Sequence, residues 1–165
     1  MRESPSEIDL RVKTALERLG VAYEVIAIDP DYADTEAFCE KYGYPLENTG
    51  NAIIVGSKKE PRQFAACVIP ATKRLDVNHT VRRLMGVSRL SFAREEDTMA
   101  LTGMMIGGVT PLALPGGMPI YVDAGLMDLD WLIVGGGSRS TKVRISPEVF
   151  RRLPGSEIVD DLCLV

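Results

Sequence analysis

The residues best suited to chemistry lie between Gly103 and Gly117, a stretch with five glycines and two prolines. Adjacent glycines let a backbone turn tightly and bring its N–H groups to a ligand without side-chain obstruction, so Gly107-Gly108-Val109-Thr110-Pro111 could hold an oxyanion or a carbonyl oxygen. The same string also suits a tight connection between a helix and a strand. It is neither GxxxxGK[ST] nor a GxGxxG following a strand, which disfavours a nucleoside triphosphate or dinucleotide cradle. Asp123 ends an otherwise apolar run, where a carboxylate either serves catalysis or caps the next helix through Ala124 and Gly125. Lys73 and Arg74 fall in the densest basic region and could meet phosphate, although a solvated pair is the commoner outcome. His79 lacks an acid partner or nucleophile in sequence and reads as a surface histidine, and Lys58-Lys59 reads as a solvated turn pair. No GxSxG elbow, HExxH motif or supported Cys/His couple is present.

These residues need a scaffold, and a chain of 165 residues with 45% hydrophobic and 25% charged residues is long and apolar enough to form one domain around one core. Cys39, Cys67 and Cys163 are odd in number and widely spaced beside a single histidine, which argues against disulfides or a zinc site. No metal or cofactor is expected. The net charge of −4 argues against general nucleic-acid coating, although the middle third collects Lys58, Lys59, Arg62, Lys73, Arg74, Arg82, Arg83 and Arg89. Neither a membrane-length apolar run nor an export core is seen at the N-terminus, so a cytoplasmic location is expected.

Periodicity predicts a first helix with Ile8, Val12, Ala15, Leu16 and Leu19 on one face, Ser6 as N-cap and Gly20 at its end. A strand at 23–28, a helix over 35–42 capped by Thr35 and closed by Gly43, and an antiparallel hairpin of 51–55 with 63–69 follow. The hairpin is expected at the sheet's centre. Asp76 should cap a helix over 77–85 with Val77, Val81, Leu84 and Met85 on one face, and 91–102 should hold another short helix. Three late strands, 119–123, 131–134 and 141–145, precede a last helix opened by Ser146-Pro147. The expected fold is α/β of the α+β type: a mixed, mostly antiparallel sheet with surrounding helices.

In this order and spacing the chain resembles the YbaK/prolyl-tRNA-synthetase-associated family of aminoacyl-tRNA deacylases. The matching strings include Ile53-Ile54-Val55, Ala66-Cys67-Val68-Ile69-Pro70, Thr72-Lys73-Arg74-Leu75-Asp76-Val77, Ile106-Gly107-Gly108-Val109-Thr110-Pro111, Tyr121-Val122-Asp123 and Gly135-Gly136-Gly137-Ser138. The resemblance implies that Gly107 and Gly108 stabilise the ester carbonyl of a mischarged tRNA, that Thr110 and Pro111 shape the loop, and that Asp123 anchors the substrate amine or orients loop and water. It departs at one position: where family members commonly carry a lysine just before the hairpin strand, this chain has Asn51. An amide can hydrogen-bond a carbonyl, hydroxyl or water, but it cannot neutralise a phosphate or oxyanion.

Two functions follow as expectations. The first is a trans-editing hydrolase that cleaves mischarged tRNA by water attack, with Asn51, Gly107, Gly108 and Asp123 as catalytic residues and Thr110, Pro111, Lys73 and Arg74 against substrate. The second is a binding module of the same fold that recognises a tRNA acceptor end, a small acyl ligand or a partner protein. The expected partner is the tRNA acceptor end, with a synthetase or translation factor as a further contact, and neither DNA nor membrane.

Overall fold

A computed structural model describes residues 5–165, so the reading of residues 1–4 as part of a chain start without an export core lies outside it. The chain runs α1 (Pro5–Leu19), β1 (Tyr23–Ala27), α2 (Thr35–Tyr42), β2 (Gly50–Ser57), β3 (Phe64–Pro70), α3 (Arg82–Met85), β4 (Leu90–Phe92), α4 (Glu95–Thr102), β5 (Ile120–Asp123), β6 (Leu132–Gly135), β7 (Thr141–Ile145), α5 (Val149–Arg152) and β8 (Ser156–Val159). Ile8, Val12 and Leu16 of α1 are buried as their spacing dictates, while Ser6, expected as the cap, lies inside the helix. Gly43 closes α2 in the left-handed region at φ 77°, where a glycine avoids the Cβ penalty. Thr35 is the first residue of α2 and not its cap; Asp34 holds the cap position, which frees the Thr35 hydroxyl for another partner.

Asp76 does cap the segment after β3, accepting from the His79 N–H at 3.3 Å, but that segment opens with a wide π-type turn over Val77–Val81 before α3. Val77 and Val81 are buried, whereas Leu84, expected on the same face, is 37% exposed.

The mixed, mostly antiparallel α+β architecture expected from the sequence is found, divided between two sheets. One has the order β4-β2-β3-β5-β8 and the other β1-β7-β6. The β2–β3 hairpin is antiparallel and central, β5 joins it parallel to β3, and β8 pairs parallel to β5. The edge strands β4 and β8 had no counterpart in the sequence reading.

The two sheets meet where Thr49, just before β2, bridges Ile133 of β6 in parallel. Continuing that register two residues along each strand brings Asn51 level with Gly135, and Gly135 is paired across the second sheet with Lys142 of β7. Side chains alternate faces along a strand, so Asn51, Gly135 and Lys142 belong to one face. Ile133 shares that face and packs with Phe38, Cys39 and Ile28, so α2 covers it. Leu132 and Val134 point the other way into a core with Val68, Val122 and Phe150.

Candidate active site

A cavity of about 550 Å³ opens over the junction of the sheets. Its wall includes Thr35 and Phe38 of α2, Asn51 to Ile54 of β2, Phe92, Thr98 of α4, Gly107 and Val109 of the glycine-rich loop, Gly135 and Lys142. That volume lies within the range of small-molecule sites. Most of the wall is apolar, with a few polar groups converging where the loop crosses the sheets.

The loop is held by its carbonyls. Ile106 O accepts from Arg139 Nη1 at 2.6 Å, Gly107 O from Lys142 Nζ at 2.8 Å and Gly108 O from the Gly137 N–H at 2.8 Å. In a planar trans peptide the N–H points opposite to the C=O. The Gly107 and Val109 N–H groups, which share peptides with the Ile106 and Gly108 carbonyls, are therefore turned away from Arg139 and Gly137. Neither has a protein acceptor among the described residues, and both residues line the cavity. The Gly108 N–H is spent on Met105 O at 2.8 Å, and Gly108 is not in the wall. Of the expected donor pair, the Gly107 N–H has no protein acceptor among the described residues, whereas the Gly108 N–H closes the turn from Met105; the Val109 N–H is the other one left without an acceptor.

Glycine is needed here for two separate reasons. Gly107 has φ 93°, a region that side chains rarely adopt, and Gly108 lies so close to the 137–138 backbone that a Cβ would come within 2.7 Å of the Ser138 carbonyl. Opposite the loop, a Cβ on Gly135 would collide with the Val109 carbonyl oxygen. The loop thus rests on the bare backbone of Gly135, between the side chains of Asn51 and Lys142.

Asn51 is half-buried, and its Oδ1 accepts from the Thr35 hydroxyl at 2.6 Å. That bond orients the amide, and among the described residues its two Nδ2 protons have no protein acceptor. Lys142 is 5% exposed and forms no carboxylate ion pair among the described residues; its ammonium sits 5.6 Å from the centre of the Phe38 ring. Burial pushes its pKa down to about 8, an effect that Asp34 opposes, Arg139 reinforces and Cys39 opposes. Arg139 also reaches Asp34 Oδ1 at 3.1 Å and Pro30 O at 2.9 Å, clamping the loop to the segment before α2.

The remaining expected residues lie elsewhere. Asp123 is buried and outside the cavity wall; its Oδ2 accepts from the Gly125 N–H at 3.0 Å, capping the 3-10 turn Ala124–Asp128, and its carboxylate also contacts Cys163. Its capping alternative is the one realised. Thr110 is fully buried behind the loop, and Pro111 faces a separate cavity of about 960 Å³ under α1 that contains none of Asn51, Gly107 or Lys142. Lys73 and Arg74 are exposed and outside the wall, as are Lys58 and Lys59 in the hairpin turn. His79 is exposed beside Asp76 at 3.2 Å. Burial raises the thiol pKa of Cys39 and lifts those of Cys67 and Cys163 to about 12, which leaves them protonated and weakly nucleophilic. Among the described residues, no three His, Cys, Asp or Glu side chains gather to hold a metal, and no helix is long and apolar enough to cross a membrane.

Lys142 and Arg139 escaped the sequence reading, and Thr35 entered it only as a helix cap. Thr141-Lys142-Val143-Arg144-Ile145 alternates like any half-exposed strand, so nothing local marks Lys142 as buried.

The fold has counterparts among solved structures. A crystal structure described as a candidate trans-editing enzyme for prolyl tRNA synthetase superposes with a TM-score of 0.79 at 25% identity, covering 96% of this chain and 97% of the other. The hypothetical protein APE2540 gives a TM-score of 0.82 at 25% identity, covering 93% and 99%. The profile of the aminoacyl-tRNA editing domain matches residues 29–153, a span that includes Asn51, the glycine-rich loop, Gly135 and Lys142. With the profile covering more than half of its length and the cavity lying within that match, the chain belongs to the aminoacyl-tRNA editing domain family.

Proposed function

We propose that the chain is a trans-acting hydrolase that removes amino acids from mischarged tRNA by water attack on the aminoacyl ester in the cavity over Gly135. The observation that carries this reading is that Gly107 and Val109, both in the cavity wall, have backbone N–H groups with no protein acceptor among the described residues. As the ester carbonyl becomes tetrahedral its oxygen gains charge, and fixed backbone donors placed beforehand stabilise that charge without reorganisation. Asn51, locked by Thr35, donates to the attacking water or to the ribose hydroxyl that leaves. The ester C–O bond breaks, the ribose oxygen takes a proton, and the products are a free amino acid and uncharged tRNA. Phe92, 57% exposed at the mouth, offers a face on which the terminal base stacks.

An editing activity is needed because one methylene changes binding by only about 1–3 kcal/mol, too little for a synthetase to reject a near neighbour by affinity alone. The similarity to the prolyl-tRNA-synthetase-related protein makes that synthetase's misacylation products the first substrates to try. Purified protein incubated with a panel of mischarged tRNAs should release amino acid from at least one. Binding of tRNA without release from any member would instead make the chain a recognition module of the same fold.

A further inference from the structure

Where the resemblance implies a lysine before the hairpin strand, this chain has Asn51, yet the cavity does not lack a cation. Lys58 and Lys59 follow the end of β2, whereas Asn51 lies near its start; seven residues of strand, roughly 3.3 Å each, separate Asn51 from Lys58. Lys73 is exposed beyond β3 and outside the wall. Lys142 alone among these lysines lines the cavity, reached from the second sheet on the far side of Gly135 from Asn51.

We propose that Lys142 is the site's anion-binding residue, supplying from β7 the ammonium that Asn51 does not supply from β2, and that it takes an anionic oxygen of the aminoacyl-nucleotide ester. This inference rests on the deacylase reading. A buried ammonium without a carboxylate partner is costly, and among the described residues only one acceptor meets its three donors, Gly107 O. The two others serve an incoming anion, either a phosphate of the terminal nucleotide or the oxyanion formed on the ester carbonyl. Its charged and titratable neighbours are Asp34 and Cys39 on the α2 side and Arg139 on the β6–β7 turn, with Glu36 also in the wall. Asp34 is itself bound to Arg139, so it does not replace a bound anion.

The test compares kcat and KM on a mischarged tRNA for wild type, Lys142→Met and the double variant Asn51→Lys/Lys142→Met. Lys142→Met should lower kcat/KM by about 10²–10³-fold, the usual effect of removing one charge-stabilising donor. A loss in KM assigns the phosphate, and a loss in kcat assigns the oxyanion. The double variant should recover most of the loss, because it returns an ammonium to the other side of Gly135; a lysine that merely held the Gly107 carbonyl would not be rescued from there. Wild-type kcat/KM should fall as pH rises through about 8, and the Lys142→Met profile should not. If Lys142→Met does not fold, the wild type decides alone: side-chain NMR of Lys142 during titration with an adenosine 5′-monophosphate bearing a 3′-aminoalkylphosphonate should show its pKa rising. Unchanged kinetics in a folded Lys142→Met, absence of rescue, or an unmoved Lys142 pKa overturns the inference. A wild type inactive on every ester would instead remove the deacylase reading itself.

Discussion

Gly107 and Gly108 are adjacent and chemically identical, yet they serve different ends. Gly107 needs the freedom of a positive φ at the cavity wall, whereas Gly108 needs its missing Cβ to let the loop lie against the 137–138 backbone. Gly107→Ala should therefore strain the loop by on the order of 1–3 kcal/mol and lower deacylation at least tenfold, with little change in secondary structure by circular dichroism. Retained turnover with a normal KM would show that the Gly107 amide is not a donor to the substrate. At this scale the loop was legible, because paired glycines beside Thr-Pro are a local signal. Lys142 was not, because Lys142 and Arg144 alternate identically in sequence and only α2 packing distinguishes the buried ammonium from a guanidinium stacked 4.2 Å over Trp131.

Elements decide which polar residues reach the site. Asn51 enters because β2 begins at the sheet junction and α2 places Thr35 against it; Asp123 is excluded because β5 is sandwiched between β3 and β8, with its end turned toward Cys163 and Gly125. Asp123→Ala should therefore cost about 1 kcal/mol of stability as a lost cap, measured by urea unfolding, while kcat/KM stays at the wild-type value. A large kinetic loss at unchanged stability would restore Asp123 to the catalytic group. Periodicity located the long amphipathic elements, since α1 and the β2–β3 hairpin carry repeating apolar faces. It missed β4 and β8 because strands of three and four residues at sheet edges, with a single buried position between them, carry too little pattern to register. The same limit hid the split into two sheets, which depends on the Thr49–Ile133 bridge between segments more than eighty residues apart.

For the whole molecule, the site has a thermodynamic signature. Lys142 titrates near 8 in the fold against 10.5 in the open chain, so the unfolded state binds more protons between those values. Its burial destabilises the protein in full below pH 8, by on the order of 3 kcal/mol, and the penalty disappears as pH rises toward 10.5. A folded Lys142→Met should thus be more stable than wild type at neutral pH, with the difference shrinking through that window; the buried Cys67 and half-buried Cys163 thiols act oppositely above about 9 but equally in both proteins. A stabilising substitution that removes activity is the mark of a residue held for function. The most direct measurement of the central claim is a crystal structure with a non-hydrolysable 3′-amide analogue of aminoacyl-adenosine. The account predicts the acyl oxygen about 3 Å from the Gly107 and Val109 nitrogens. An analogue seated instead in the cavity under α1, or with its acyl oxygen turned away from both amides, would contradict it.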